Sequence, residues 1–508
     1  MNQYDYVVIG AGSAGCVVAN RLTEDGETTV LLLEAGNPPT KPEIQVPVFW
    51  PKLLGTEVDW AYWTEEEPYL NKRKVFCARG KVLGGCSSIN ATIYIRGNRH
   101  DFDSWQALGN PGWSYEDVLP YFLKSQNQQR GASPFHAVGG LLNVSDIIDP
   151  NEISHRFVEV AATMGYDRNP DFNGAQQEGA GLYQLTVKDG QRHSTAAAFL
   201  IPFLDRSNLT VQTGALVTQL LFEGTRTVGV EYLHEGTLHQ VRVSKEAILS
   251  AGAFDSPKLL MLSGIGNAEK LRSLDIPVLV NLPGVGQNLQ DHICVTVAYR
   301  ATKNLQPALT SNIAEAGLFL HTESNLDAVP DLQLFFSPVL WVPSGYPQDG
   351  PGFAGTACLT HSQSRGNVTL RSADPKDSPA IRMNYLQSES DVQKLVTGIK
   401  IIRQLLDSQG FDEFRGEEVA PGADVSSDEA LQTYIREVAT TIWHPVGTCK
   451  MGTDPDAVVD SELRVHGVEG LRVVDASIMP TITTGNTNAP TIMIGEKAAD
   501  LIKSAGRV

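Results

Sequence analysis

Residues 6–36 read YVVIGAGSAGCVVANRLTEDGETTVLLLEAG. An apolar run (Tyr6, Val7, Val8, Ile9) enters Gly10-x-Gly12-x-x-Gly15, a helix-like segment follows, and a second apolar run over 30–33 ends at Glu34. The glycines have separate mechanical roles: Gly10 makes the tight turn, Gly12 lets the backbone approach a pyrophosphate, and Gly15 lets helix pack on strand. Phosphates then meet free N–H groups at a helix N-terminus. Glu34, about 20 residues on, stands where an acid accepts from a ribose hydroxyl, and it disfavours a 2′-phosphate, which wants an arginine there. A lone glycine pattern is common punctuation. Strand, helix, second strand and acid in this order make a dinucleotide site.

The chain has 508 residues, 42% hydrophobic and 19% charged, enough for the cores of two or three domains of an ordinary globular enzyme. A formal net charge of −18 makes the average surface repel phosphate backbones, so no nucleic-acid partner is expected. The first strand begins too soon after Met1 for a secretory leader. No apolar run reaches the roughly 18 residues of a membrane span. The expected location is cytoplasmic, with peripheral membrane contact left open. Six cysteines (Cys16, Cys77, Cys86, Cys294, Cys358, Cys449) form no CxxC pair, and no Cys/His cluster has zinc spacing. Free thiols in a reducing compartment and no metal are expected.

Neither Gly nor Pro concentrates into a linker and there is no internal repeat, so the domains are expected to be interwoven rather than strung in series. Cofactor-type segments recur in the N-terminal unit, in a middle block over 209–291 with strand-like runs at 209–212, 227–233 and 246–250, and from His444 onward. Between them, alternating runs such as 331–336 and 367–371 read as strands. Residues 390–408 carry Val392, Leu395, Val396, Ile399 and Ile402 at helical spacing. These pieces read as a second domain with an antiparallel sheet covering the cofactor's reactive end.

Four further blocks carry chemistry-bearing residues. Residues 79–90 (RGKVLGGCSSIN) are a second glycine-rich turn, in which Gly84 and Gly85 allow close backbone approach and Ser87, Ser88 and Asn90 can donate; taken alone it reads equally as an ordinary loop. Residues 252–266 place a helix start at Ser256-Pro257 and a stop at Ser263-Gly264, adequately explained as a well-capped helix. His444 precedes Pro445 and belongs to an extended loop rather than a helix, where a single histidine is more often structural than catalytic. Asp475 ends a strand-like run, Gly485-Asn486 suits a tight backbone approach, and a helix after Pro490 would aim its positive N-terminus at a ligand.

In order and spacing these blocks, together with residues 283–292 (PGVGQNLQDH), resemble the glucose–methanol–choline (GMC) flavoprotein oxidoreductases from end to end. The resemblance implies an α/β fold, a Rossmann-like FAD-binding domain formed by residues 1–150, 192–300 and 440–508, with an intercalated α+β substrate domain of residues 151–191 and 301–439 built on an antiparallel sheet. It implies that Gly10, Gly12, Gly15 and Glu34 hold the ADP part of FAD, that the Val217 backbone meets the adenine, and that Gly84, Ser88, Asn90, Ile93, Asp475 and Ala476 line the pyrophosphate and isoalloxazine. His444 matches the family's active-site histidine and Asn486 the position of a second His or Asn. The implied reaction is oxidation of a small primary alcohol to an aldehyde, with oxygen or a quinone as electron acceptor. A histidine of near-neutral pKa suits removal of the hydroxyl proton, and Asn486 suits orientation of the substrate oxygen.

Where choline oxidases carry a histidine that tethers the flavin covalently, this chain has Ile89, so FAD is expected to be non-covalent. Glu315 matches the choline oxidase carboxylate that meets a quaternary ammonium, whereas Phe335 replaces a histidine of choline-type relatives and favours an aliphatic or aromatic alcohol. Trp443, beside the histidine, completes the expected pocket. The alternatives are a choline-specific dehydrogenase or oxidase, a same-fold hydroxynitrile lyase or fatty-acid photodecarboxylase, and a flavin-binding protein without activity. Photodecarboxylases lack the alcohol-oxidising histidine, and both His444 and Asn486 stand in their motif contexts here.

Overall fold

The computed structural model describes residues 2–322 and 329–506. The chain alternates between two sheets. β1 (Gln3–Ile9), α1 (Gly15–Leu22) and β2 (Val30–Leu33) open the first, and α2 (Glu152–Thr163) with β3 (Gly179–Leu182) belongs to the second. β4 (Leu209–Gln212), β5 (Ala215–Glu223), β6 (Arg226–His234) and β7 (Thr237–Leu249) return to the first and lead into α3 (Gly252–Leu262). β8 (Ile293–Ala301), β9 (Ala316–Leu320), β10 (Leu332–Ser337), β11 (Gly352–Leu359), α4 (Glu389–Leu406), β12 (Arg415–Ala420) and β13 (Thr440–Thr441) fill the second. β14 (Leu471–Val473) and α5 (Asn488–Ala505) close the first.

In the first sheet the order is β4-β2-β1-β7-β6-β5, with β14 also on β7. In its parallel half, β2, the end of β1 and the end of β7 are the continuous apolar runs that a sheet covered on both faces requires, while β4 (LTVQ), at the edge, is partly exposed. Gly10 has φ +97°, and a Cβ on it would lie 2.4 Å from the Ser250 carbonyl oxygen. A Cβ on Gly15 would lie 1.9 Å from the Gly10 oxygen, so α1 packs against the turn only because Gly15 has none.

The second sheet is antiparallel, in the order β12-β8-β11-β10-β9-β3 with β13 on β8. Alternation gives its strands two faces. Val295, Val297, Leu334 and Phe336 point into a core with Leu395, Ile399 and Ile402 of α4 and Phe157 of α2. Cys294, Thr296, Phe335, Ser337 and Thr356 face the other way, toward a cavity. The expected boundary at residue 300 is corrected here: β8, within 192–300, pairs only in the second sheet, because its nine residues are held by β11 on one edge and by β12 and β13 on the other.

A second correction concerns α3, which begins at Gly252 rather than at Ser256-Pro257. Pro257 has no N–H to give the Ala253 carbonyl. Thr448 Oγ1, at 2.6 Å, donates to that carbonyl instead, so the helix continues through the proline.

Candidate active site

A cavity of about 740 Å³ lies between the ends of the first sheet's parallel strands and the polar face of the second sheet, a size typical of ligand sites. At one end its wall is made by Gly10, Gly12, Glu34, Val217 and Ser250. Both oxygens of Glu34 accept backbone N–H groups, Oε2 from Ala11 and Oε1 from Gly36, each at 2.8 Å. The carboxylate thus ties the glycine turn to the end of β2, and burial pushes its pKa up to about 7. The two glycine-rich loops meet along this wall: a Cβ on Gly85 would lie 2.8 Å from Gly12 Cα.

Asp475, Ala476, Asn90 and Ile93 line the middle of the cavity. Asp475 Oδ2 accepts from the Gly252 N–H at 2.8 Å and from Ser256 Oγ, and its Oδ1 accepts from the Ser477 N–H at 2.8 Å, which fastens the end of β14 to the start of α3. Gly15, Gly84 and Ser88 stand behind the wall rather than on it, which corrects all three as ligand contacts. Ser88 Oγ donates to the Leu83 carbonyl at 2.7 Å and fills the space a Cβ on Gly84 would need. Their neighbours Gly85, Cys86 and Ile89 face the cavity instead. The donor set fits a dinucleotide: Ser250 and Thr92 lie on the wall, and their hydroxyl oxygens are buried without a partner among the described residues.

His444 and Asn486 come together at the far end, 42 residues apart in sequence, with Asn486 Nδ2 3.4 Å from His444 Nε2. The turn before His444 is unusual, because Trp443 has φ +64°, a conformation bulky residues avoid. It is held by the Trp443 N–H donating to Thr441 Oγ1 at 2.6 Å, by its indole donating to the Phe76 carbonyl at 3.0 Å, and by Arg79 donating to its own carbonyl. The His444 N–H donates to Asp291 Oδ1 at 2.7 Å. Asp291 also accepts from the His292 N–H, Thr441 Oγ1 and the Tyr385 hydroxyl, so one buried carboxylate anchors three segments.

The tautomer of His444 follows from its neighbour. His292 Nε2 lies 2.9 Å from the Thr360 carbonyl, which can only accept, so Nε2 carries the hydrogen. Burial pushes the His292 pKa down to about 3 and leaves the ring neutral, with its Nδ1 as an acceptor. His444 Nδ1, 2.9 Å away, must then be the donor. Its Nε2 is left with a lone pair beside Asn486. Burial, then His292 and Arg79, holds the His444 pKa well below the usual histidine value.

Phe335, Trp443, Trp50 and Trp341 line the same end of the cavity, the Trp50 ring centroid lying 5.5 Å from that of Trp341 and 5.9 Å from that of Trp443. Glu315 does not join them. Its carboxylate is fully buried away from the cavity, accepting from the Asn151 N–H at 2.8 Å, Ser154 Oγ at 2.7 Å and Ser311 Oγ at 2.6 Å at the N-terminus of α2. Its place just before β9 turns it toward α2, where donors and helix dipole satisfy a carboxylate. The expectation that it belongs to the substrate pocket is therefore corrected. Asp291, His292 and Arg79 carry weight that sequence reading did not assign. Asp291 and His292 were visible inside one matching block, but their pairing with residue 444 is a tertiary contact.

Profiles described as GMC oxidoreductase match residues 4–294 and 362–495. The chain belongs to the GMC oxidoreductase family. It is 45% identical to an oxygen-dependent choline dehydrogenase of Pseudomonas savastanoi pv. phaseolicola, over 99% of this chain and 94% of that protein. It is 42% identical to the mitochondrial choline dehydrogenase of Mus musculus, over 99% and 90% respectively. Among solved structures it resembles pyridoxine 4-oxidase from Mesorbium loti, with 33% identity, a TM-score of 0.93 and 98% of each chain covered. A fungal aryl-alcohol oxidase superposes with a TM-score of 0.87 at 25% identity, over 100% of both chains. The protein is thus an FAD-dependent GMC oxidoreductase acting on CH–OH donors. Among the described residues no helix is long and apolar enough to cross a membrane, and no His, Cys, Asp or Glu cluster has the form of a metal site.

Proposed function

We propose that this GMC oxidoreductase converts a primary alcohol to its aldehyde, with His444 Nε2 taking the hydroxyl proton and Asn486 orienting the substrate oxygen. The observation that carries this reading is the fixed tautomer: His292 takes the hydrogen bond of His444 Nδ1–H, so the basic lone pair faces the cavity. Bound FAD supplies the hydride acceptor. Gly10, Gly12, Glu34, Val217, Asn90, Ile93, Asp475 and Ala476 would hold it, and Gly15, Gly84 and Ser88 shape the loops that do so. Loss of hydride from the alcohol carbon requires loss of the hydroxyl proton, and a neutral imidazole within reach of that oxygen accepts it. Gln333 Nε2 lies 3.5 Å from Asn486 Oδ1 and one Asn486 amide hydrogen faces His444 Nε2, which leaves the other amide hydrogen for the substrate oxygen. FAD is held without a covalent bond, since Ile89, on the cavity wall, has a hydrocarbon side chain. Oxygen or a quinone completes the cycle. Six unpaired cysteines support a cytoplasmic location, with peripheral membrane contact left open.

The tryptophans and Phe335 suit an aromatic or aliphatic alcohol. A choline reading stands beside it, supported by the named relatives and by the capacity of tryptophan faces to attract a quaternary ammonium. Anaerobic flavin bleaching with benzyl alcohol, hexanol, choline and its neutral isostere 3,3-dimethylbutan-1-ol decides between them, followed by addition of oxygen or a quinone. Faster bleaching by the neutral alcohols supports the first reading. Choline outpacing its isostere by tenfold or more supports the second, and no bleaching by any alcohol overturns both.

A further inference from the structure

Arg192 is a buried cation whose charge nothing in the proposed reaction uses. It is 3% exposed and sits just behind the second glycine-rich loop. Its Nε donates to the Ile44 carbonyl at 2.8 Å, and one terminal nitrogen donates to Asn90 Oδ1 at 2.8 Å and to the Ser87 carbonyl at 3.3 Å. The other terminal nitrogen is buried without a partner, and no carboxylate lies within ion-pair distance, among the described residues. The segment that carries it braces the same loop a second time, Thr195 N–H donating to Ser87 Oγ at 3.0 Å.

An uncompensated buried charge is costly. The acceptors around Arg192 are all neutral, and burial pushes its pKa down to about 9, which still leaves it cationic at neutral pH. What lies beyond is the cavity wall. Asn90 Oδ1 receives both Arg192 and the Thr92 N–H, the latter at 3.0 Å, so its lone pairs are engaged and its amide Nδ2 is the half left for a ligand. The segment that follows Asn90 runs toward the reacting end: Ile93 packs in one cluster with Phe335, and Ile95 Cγ2 is 2.7 Å from where a Cβ on Gly485 would stand, next to Asn486.

We propose that Arg192 is a positioning residue for the cofactor's redox-active ring: it locks the Asn90 amide with its N–H groups toward that ring, and its unneutralised charge favours the negative charge left when the ring takes up two electrons and one proton. The inference rests on FAD occupying the cavity, which the flavin content of the wild-type protein reports separately, and it does not depend on His444 being the base. Its effect is a raised two-electron potential and a raised affinity for sulfite, which adds to the ring and leaves it negatively charged.

The test compares Arg192→Met and Arg192→Lys in the FAD-loaded protein. Removing a cation at this depth is expected to shift the reduction equilibrium on the order of tenfold, a fall of about 30 mV in midpoint potential, with a similar weakening of sulfite binding. The lysine variant, which keeps the charge and loses the fork, is expected to recover most of the potential while still binding FAD less tightly. A purely structural role would lower FAD content in both variants and leave the potential of the bound fraction unchanged, and that result overturns the proposal. Should Arg192→Met come out flavin-free, Asn90→Asp carries the test, since a carboxylate beside Arg192 cancels its charge in place. An unchanged potential and sulfite affinity in Asn90→Asp likewise overturns it.

Discussion

In the proposed reaction the role of His444 depends on one hydrogen. His292, held neutral by burial and donating to the Thr360 carbonyl, accepts from His444 Nδ1 and leaves Nε2 free. His444→Ala is therefore expected to slow anaerobic flavin reduction on the order of 10²–10⁴-fold in stopped flow, with FAD content unchanged, because the ring faces substrate space. Asn486→Ala loses a hydrogen bond and alignment rather than a base, so it costs less. Equal rates in wild type and His444→Ala would remove the base from the mechanism. The sign of the pH dependence follows from the same burial. The reactive form is neutral, and a pKa held well below the usual 6.5 keeps it neutral to lower pH. The acid limb of the reduction rate is expected below pH 6.5, and a limb above 7 would contradict the desolvated site. His444, Asn486 and Asp475 were legible in their motifs. His292 stood in a motif too, but its role needed a partner 152 residues away.

Among the elements, hydrophobic period was the readable signal. The run 390–408 forms α4 over Glu389–Leu406, with its periodic apolar residues buried on the second sheet. Runs at 209–212 and 331–336 form β4 and, one residue later, β10. The start of α3 was misread because Pro257 normally marks a first turn, whereas here Thr448 takes over the proline's missing hydrogen bond. Glu315 shows the same limit. A carboxylate before β9 reads equally as a ligand or as a helix partner, and its three donors at the start of α2 make it the second. Glu315→Gln is expected to cost about 1–3 kcal/mol of stability, seen as a lower urea midpoint. The ratio of choline to 3,3-dimethylbutan-1-ol rates is expected to stay the same, and a fall in that ratio would return Glu315 to the substrate.

For the whole molecule, the cavity joins both sheets, so its ligand is expected to stabilise the fold that closes around it. Acid or heat denaturation is expected to release FAD into the supernatant, and flavin remaining with the precipitated chain would contradict a non-covalent site. The flavin-free protein is expected to melt lower and to recover when FAD is restored, by about 2.7 kcal/mol at 100 times the dissociation constant. By itself the sequence determined the dinucleotide turn, the interwoven two-sheet architecture, the family and the two residues proposed for the reacting end, because each is written in local spacing: glycines where backbone must approach, apolar residues at period two or 3.6. Only the tertiary structure decided which strands share a sheet, so that β8 left the segment it was assigned to; which way Glu315, Gly84 and Ser88 face; and that His292 fixes the lone pair of His444 while Arg192 stands behind Asn90. Those are contacts between residues distant in the chain, set by how the two sheets close on each other, and no local pattern encodes them.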